Sequence, residues 1–116
     1  MRFSTYSKYK NKKTIIDGYA FDSIKESRRY SELKLLLKAK KIKNLELQPE
    51  FTLQISFMDR YCKKYRPITY IADFRYFDNE LKEDVVEDVK AFRTEVYKIK
   101  KKMFLYSYQD LIFREV

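Results

Sequence analysis

Two carboxylates and one lysine lie in the most apolar strand-like stretches of the chain. Asp88 and Lys90 are separated by one residue within the stretch 85–90, and Asp73 lies within the stretch 70–74. Residues i and i+2 of a strand share a face, so the side chains of Asp88 and Lys90 are predicted to point the same way. An unpaired charge in an apolar strand is costly, which favours a chemical purpose for these groups. Placed on neighbouring strands, they would form a site for a divalent cation.

Asp73 and Asp88 have the chemistry that Mg²⁺ requires. Two nearby carboxylates repel each other unless a cation or a proton lies between them. Magnesium takes oxygen ligands, usually one or two carboxylates with water and substrate phosphate, so we predict that these aspartates bind Mg²⁺ and that Mn²⁺ substitutes for it. Lys90 would then orient the attacking water and offset charge on the phosphate. The alternative is an exposed salt bridge on a surface strand, because a chain with 37% charged residues produces Asp-x-Lys by chance.

A third carboxylate, Glu26, is predicted on the inward face of the first helix. Residues 21–40 are predicted to form this helix, with Asp22 or Ser23 as its cap, and Ser23 with Glu26 matches a capping box. At about 100° per residue, Glu26 shares a stripe with Tyr30, Leu33 and Leu37. A capping box alone would explain Glu26 if its carboxylate bonds back to the amide of Ser23. The inward stripe favours the other interpretation, in which Glu26 holds a second metal ion or orients water.

The composition excludes several other chemistries. The chain has no histidine, one cysteine (Cys62) and one glycine (Gly18). Ser-His and Cys-His nucleophiles, an internal disulfide, a cysteine-based zinc cage and a phosphate-binding glycine loop are therefore excluded. Carboxylate, lysine, tyrosine and metal chemistry remain. The formal net charge of +9 predicts an anionic partner, with nucleic acid first and an anionic membrane surface second.

Two clusters of lysines are candidates for binding nucleic acid. Residues 1–17 form a basic arm that leads into a turn at Asp17 and Gly18, and residues 18–116 form a single domain. The candidate phosphate-binding residues of the arm and of the second helix are Lys10, Lys12, Lys13, Lys98, Lys101 and Lys102. An ordinary solvated terminus and a solvated helix face are the alternatives for the two clusters.

The pattern of apolar residues predicts a small α/β domain. Strands are predicted over residues 45–48, 51–58, 67–77, 84–90 and 111–116, and a second helix over 94–106. Period-two alternation places Tyr70, Ala72 and Phe74 on one face of a continuous strand. The buried stripe of the second helix is predicted as Val96, Ile99, Met103 and Tyr106. The order is a helix, three strands that can run as an antiparallel meander, a helix, and a strand that runs parallel after a right-handed crossover, all around a central mixed sheet.

This order and these motifs resemble the PD-(D/E)xK nuclease superfamily and its small restriction-endonuclease-like core. The resemblance covers residues 17–116 and assigns the site to Glu26, Asp73, Asp88 and Lys90. One departure is Ala72, which stands where the superfamily motif has proline before the aspartate. Glu87 adjoins Asp88 but is predicted to face the opposite side, so it is left out of the site. Four shorter runs look like a phage and prophage family described as Holliday-junction-resolvase-like, namely residues 21–26 (FDSIKE), 45–49 (LELQP), 70–74 (YIADF) and 86–90 (VEDVK).

The resemblance implies a Mg²⁺-dependent DNA endonuclease that leaves 5′-phosphate and 3′-hydroxyl ends. Branched DNA is the substrate implied, in phage recombination, replication or packaging, and a homodimer would suit two cuts on a symmetric junction. Tyr97, Lys98 and Lys101 are candidates for assisting catalysis. We expect the cytoplasm of a bacterial host, since residues 1–13 lack the apolar core of a signal peptide. The alternatives are a non-catalytic module that binds nucleic acid or a host protein, and a nuclease that acts on RNA.

Overall fold

The computed structural model describes residues 14–90 and 93–116. Its two helices are α1 (Ile24–Lys38) and α2 (Glu95–Ser107). The strands before Pro67 are β1 (Thr14–Ile16), β2 (Tyr19–Phe21), β3 (Ile42–Leu47), β4 (Glu50–Gln54), β5 (Phe57–Met58) and β6 (Lys64–Tyr65). The later strands are β7 (Ile68–Ile71), β8 (Phe74–Asp78), β9 (Glu83–Asp88) and β10 (Ile112–Glu115). Neither helix is long and apolar enough to cross a membrane.

A four-stranded mixed sheet lies at the centre, in the order β10-β9-β8-β3. Strands β3, β8 and β9 pair antiparallel, and β10 pairs parallel with β9 after the crossover through α2. The core residues around α1 include Tyr30 and Leu33, and those around α2 include Tyr97 and Phe104. The predicted small α/β class is confirmed, and the elements of the central sheet with the two helices follow the predicted order of helix, three strands, helix and strand.

Helix α1 lies within the predicted range 21–40, although it begins only at Ile24 because Phe21 belongs to β2. Ser23 is its N-cap, and its hydroxyl oxygen accepts the amide of Glu26 at 3.0 Å. Glu26, Tyr30 and Leu33 are buried on one stripe, and Leu37 packs at its edge. The inward direction of Glu26 follows from this 3.6-residue period.

The predicted continuous strand over residues 67–77 is wrong. It breaks at Ala72 and Asp73 into β7, which pairs with β4, and β8, which pairs with β3 and β9. The break reverses the faces, because Tyr70 and Ala72 pack in the core of α2 whereas Phe74 and Tyr76 pack in the core of α1. A prediction based on strict alternation of faces fails where a break in the strand shifts the pattern by one residue.

The antiparallel partner of this segment, residues 42–54, is also broken, at Gln48 and Pro49 opposite Ala72 and Asp73. The amide of Gln48 donates to the carbonyl of Asp73 at 2.9 Å, and the amide of Ala72 donates to the carbonyl of Pro49 at 3.1 Å. Gln48 has a φ of 52°, in the left-handed region. The antiparallel pairing therefore continues from β3–β8 into β4–β7 through a bend at Asp73, which places this carboxylate between the two strand pairs.

The predicted buried stripe of α2 is also wrong. Tyr97 and Phe104 are the buried side chains, whereas Val96, Ile99 and Tyr106 are 62%, 60% and 80% exposed. The true stripe is shifted by one residue because it consists of large aromatic rings, among them Tyr108, rather than the aliphatic residues that hydropathy favours. The predicted strand over residues 51–58 is interrupted after Gln54 and resumes as β5, and its predicted buried face is wrong at Ile55 and Phe57, which are exposed.

The predicted turn at Asp17 and Gly18 is confirmed, with φ values of 53° and 84°. It joins β1 to β2 as an antiparallel hairpin, so residues 14–16 of the predicted arm form a strand. Lys10, Lys12 and Lys13 lie outside the described residues, and their predicted role stays a prediction.

The end of the chain is fixed by an ion network around Glu115. Arg93 Nη2 lies 2.8 Å from Oε1 of Glu115, and Lys101 Nζ lies 3.2 Å from Oε2. The hydroxyl of Tyr97 also donates to Oε2. Hydrogen bonds from Arg93, Tyr97 and Lys101 lower the pKa of Glu115 from 4.5 to about 2.

This network predicts a stability change in acid. The pKa of Glu115 is lower in the folded chain, so its contribution is complete above about pH 4.5 and is lost as the pH falls toward about 2. We expect the Tm advantage of the wild type over Glu115→Gln to shrink across that window. Glu95→Gln is the control, because Glu95 pairs with Lys98 at 3.0 Å on the surface. A Tm difference for Glu115→Gln that does not change with pH contradicts this prediction.

Candidate functional site

Asp88 is a buried carboxylate at the end of β9, with 1% of its surface exposed. The hydroxyl of Tyr70 on β7 donates to its Oδ2. Within the described residues, Oδ1 of Asp88 is the one buried side-chain oxygen or nitrogen without a hydrogen bond. Lys90 Nζ lies 3.3 Å from this oxygen and supplies an opposite charge. Oδ2 of Asp88 is thus held by Tyr70, whereas Oδ1 can still accept a hydrogen bond or bind a cation.

Asp73 lies at the break between β7 and β8, beside Asp88. The amide of Val89 donates to Oδ2 of Asp73 at 2.7 Å and fixes its orientation. The carboxyl group of Asp73 lies close enough to that of Asp88 for the two groups to interact electrostatically. Burial raises the pKa of Asp73, and the proximity of Asp88 and Glu26 raises it further. This carboxyl is therefore held where its charge is unfavourable without a counter-charge.

Glu26 reaches Asp73 from the first turn of α1. Burial raises the pKa of Glu26, with a hydrogen-bonding contact to Asp73 opposing and repulsion from Asp22 and Asp88 adding to it. The three carboxyl groups thus form a row, with Asp73 in the middle. The side chain of Glu26 points toward Asp73, as a site residue should, and its backbone amide donates to the Ser23 hydroxyl in the helix cap.

Lys90 is held over the site by α2. Its Nζ lies 4.6 Å from the ring centroid of Tyr97, a cation–π contact. Its backbone carbonyl accepts a hydrogen bond from Lys25 Nζ at 3.3 Å. The predicted shared face of Asp88 and Lys90 is consistent with their contact. The structure therefore brings Glu26, Asp73, Asp88 and Lys90 together.

Glu87 points to the opposite side of β9, as predicted, and is fully buried. Arg29 of α1 donates to it with Nε at 2.7 Å and Nη2 at 2.6 Å. The hydroxyl of Tyr76 donates to the same carboxylate. The hydrogen bond to Glu87 raises the pKa of Arg29, since it favours the charged guanidinium. This pair locks α1 onto the sheet and thereby holds Glu26 in register with Asp73.

A cavity of about 280 Å³ opens beside Glu26 and Asp73. Tyr19 and Ala20 of the β1–β2 hairpin form one wall, and Gln48 forms another. The cavity gives a ligand access to two of the three carboxyl groups. Tyr19, Gln48 and Tyr70 were not predicted as site residues from the sequence. Gln48 could have been noticed, because it is a polar residue that ends a predicted strand just before Pro49.

The carboxyl row fits a divalent cation in its chemistry. A buried oxygen of Asp88 without a hydrogen bond and the mutual repulsion of Asp73 with its neighbours are both relieved by a cation. Over residues 14–90 and 93–116, however, no three acidic, histidine or cysteine side chains are grouped closely enough to hold a metal ion. The set therefore fits a cation bound by one or two carboxylates, with its other ligands from water and phosphate.

The predicted basic residues of α2 lie beside Tyr97, the residue that contacts Lys90. Lys98, Lys101 and Lys102 line a groove of about 260 Å³ together with Arg93 and Tyr97. Lys101 is bound to Glu115, and Lys98 is bound to Glu95 on the surface. Tyr97 contacts Lys90 and so can position it, whereas the contacts of Lys98 and Lys101 are with glutamates outside the carboxyl row.

A family described as "Protein of unknown function (DUF1064)" matches residues 6–115 of this 116-residue chain. The chain belongs to this family. The match to DUF1064 spans both helices, the central sheet and all four residues of the carboxyl–lysine site. No curated protein and no solved structure matches the chain. The DUF1064 description names no activity, so the resemblance to PD-(D/E)xK nucleases stays a prediction.

Proposed function

We propose that this protein is a metal-dependent endonuclease that hydrolyses phosphodiester bonds in DNA. One observation carries the proposal: Glu26, Asp73 and Asp88 form a row of carboxyl groups beside Lys90, at the break between β7 and β8 and the adjoining end of β9. A chain with a net charge of +9 attracts a polyanion to this acidic site. The resemblance to PD-(D/E)xK nucleases supports the same assignment.

The roles of the residues follow from their contacts. Asp73 and Asp88 would hold Mg²⁺, with Mn²⁺ as a substitute, and Glu26 would hold a second ion or orient water. When bound, the cation supplies Lewis acidity toward a phosphoryl oxygen. Tyr70 and the amide of Val89 fix the carboxylates of Asp88 and Asp73, respectively. Lys90 places an ammonium beside Asp88, where it offsets negative charge on the reacting phosphate.

A second candidate is a module that binds nucleic acid without cutting it. The lack of a compact three-ligand group among the described residues favours this candidate. The buried, mutually repelling carboxyl groups favour the enzyme, because a binding surface for a polyanion gains nothing from them. The substrate assignment to branched DNA rests on the resemblance alone, as do the homodimer and the phage origin.

The test is cleavage of end-labelled substrates by the wild-type chain. A four-way junction, a linear duplex, a single strand and an RNA duplex are each incubated with Mg²⁺, Mn²⁺ or a chelator. Cleavage of the junction alone, dependent on metal, supports the proposal in full. Cleavage of all the DNA substrates keeps the endonuclease and rejects the junction preference, and cleavage of RNA alone rejects DNA as the substrate. Salt-sensitive binding without cleavage under any metal rejects the enzyme.

Cation binding gives a second, independent expectation. Mg²⁺ is expected to raise the Tm of the wild type by binding the folded state, with about 1.4 kcal/mol of stabilisation at a tenfold excess over Kd. Asp88→Asn is expected to lose most of this shift. Asp78→Asn is the control, because Asp78 lies at the far end of β8 and accepts from the amides of Glu80 and Leu81. The same Mg²⁺ shift in Asp88→Asn and in the wild type would contradict the assignment of the ligand.

A further inference from the structure

The β5–β6 hairpin is an aromatic and basic element outside the site. Its strands pair with each other in a two-stranded sheet of their own, with Phe57 opposite Tyr65 and Met58 opposite Lys64. Its large apolar side chains are exposed, including Tyr61 at 82% and Met58 at 56%. An exposed set of this kind is not explained by the packing of a core.

The hairpin is nevertheless built to a definite shape. The carboxylate of Asp59 accepts the amides of Tyr61 at 2.8 Å and Lys63 at 3.0 Å, and the hydroxyl of Tyr65 at 3.3 Å. The amide of Asp59 in turn donates to the carbonyl of Lys63 at 3.0 Å. The rings of Phe57 and Tyr65 stack with centroids 5.0 Å apart and planes 11° from parallel. The aromatic side chains are therefore presented by an ordered turn.

The charge of the hairpin is strongly positive. Four cations lie between residues 56 and 67, namely Arg60, Lys63, Lys64 and Arg66, against a single acid, Asp59. The guanidinium of Arg60 lies 5.8 Å from the ring centroid of Tyr61, and Lys63 Nζ lies 5.3 Å from that of Tyr65. Aromatic rings interleaved with cations suit a ligand that offers flat rings and anionic groups together.

Unpaired nucleotides have this combination. Bases stack on exposed aromatic side chains once they are released from a duplex, while neighbouring cations contact the phosphates. A groove of about 570 Å³ runs beside the stacked pair, lined by Ser56, Lys64, Arg66 and Pro67 among others. A lipid surface fits less well. Membrane insertion needs an apolar face that is separate from the charged residues, whereas here the cations lie against the aromatic rings.

We propose that the β5–β6 hairpin binds unpaired nucleobases of the substrate by stacking, chiefly on Tyr61 and on the Phe57–Tyr65 pair. The proposal rests on the proposed function, because it takes the ligand of the hairpin to be part of the same nucleic acid. It deepens that function by naming the substrate class, which is DNA with a single-stranded segment at a gap, a flap or a branch.

The test measures binding by the full chain in chelator, so that cleavage does not enter. The probe is a duplex with a short single-stranded gap that contains 2-aminopurine, compared with the same duplex without a gap. We expect Tyr61→Leu to weaken binding of the gapped probe about tenfold and to remove the 2-aminopurine quenching. Binding of the intact duplex should be unchanged. The control is Tyr106→Leu on α2, since Tyr106 is 80% exposed and should leave both affinities unchanged.

Three results would overturn the proposal. One is equal affinity of Tyr61→Leu and the wild type for the gapped probe, and another is an equal loss on gapped and intact duplex. The third is binding to phosphatidylserine–phosphatidylcholine vesicles that depends on Tyr61 while gapped DNA binding does not. Failure of the proposed function is separable: Tyr61-dependent binding without metal-dependent cleavage rejects the nuclease and keeps the hairpin. Metal-dependent cleavage together with binding that does not depend on Tyr61 keeps the nuclease and rejects the role of the hairpin.

Discussion

Asp88→Asn is expected to reduce metal-dependent cleavage by roughly a thousandfold, at the upper end of losses from removing one group that stabilises charge in a transition state. Asparagine keeps the shape of the side chain and can still accept from Tyr70, so the buried site keeps its packing. It removes the charge that faces Lys90 and that is proposed to hold the cation. The measurement is the initial rate of nicking of an end-labelled DNA substrate at saturating Mg²⁺.

Asp84→Asn is the matched control for this loss. Asp84 lies on the same strand, β9, but pairs with Arg75 at 3.3 Å with 39% of its side chain exposed. Its rate should stay within about twofold of the wild type, because an exposed pair contributes little. Lys90→Gln should lose activity while retaining the Mg²⁺ shift in Tm, since Lys90 is proposed to offset charge on the phosphate and not to bind the metal. A normal rate for Asp88→Asn would remove this carboxylate from the chemistry.

Glu87→Gln is expected to destabilise the fold by about 3 kcal/mol. The change leaves the Arg29 guanidinium, which is 20% exposed, without its buried counter-charge. The hydroxyl of Tyr76 also loses a charged acceptor. For a chain of this length such a loss lowers Tm by more than roughly 10 °C. The measurement is urea unfolding, with the free energy taken from the midpoint and slope.

A double variant separates an unpaired charge from lost packing. Arg29→Leu with Glu87→Leu removes both charges, and most of the stability should return, because a buried ion pair is often replaceable by apolar groups. Asp84→Asn again serves as the surface control and should change the free energy of unfolding by about 0.5 kcal/mol or less. A Glu87→Gln chain as stable as this control would show that the ion pair does not hold α1 on the sheet.

The candidate site was more predictable from sequence than the strands that carry it. Glu26, Asp88 and Lys90 follow from local periodicity: one helix turn fixes the direction of Glu26, and the two-residue spacing fixes that of Asp88 and Lys90. The order of elements and the parallel last strand follow from connection rules. These features depend on residues that are close together in the chain, so they can be inferred from a single sequence.

The features that sequence reasoning missed depend on contacts between distant residues. The break at Asp73 exists because β7 pairs with β4 while β8 pairs with β9, and no local pattern contains that choice. The buried face of α2 is set by aromatic partners, among them Phe51 on β4. Arg29 finds Glu87 across 58 residues, although a buried acid in an apolar strand does require some partner.

The most direct test of the account is one paired reaction, in which the wild type and Asp88→Asn are incubated with the same end-labelled four-way junction and Mg²⁺. We expect cuts that leave 5′-phosphate and 3′-hydroxyl ends with the wild type, none in chelator, and roughly a thousandfold fewer with the folded variant. Equal cutting by both chains, or no cutting by the wild type with Mg²⁺ or Mn²⁺ on any DNA form, would contradict the assignment of the carboxyl–lysine site.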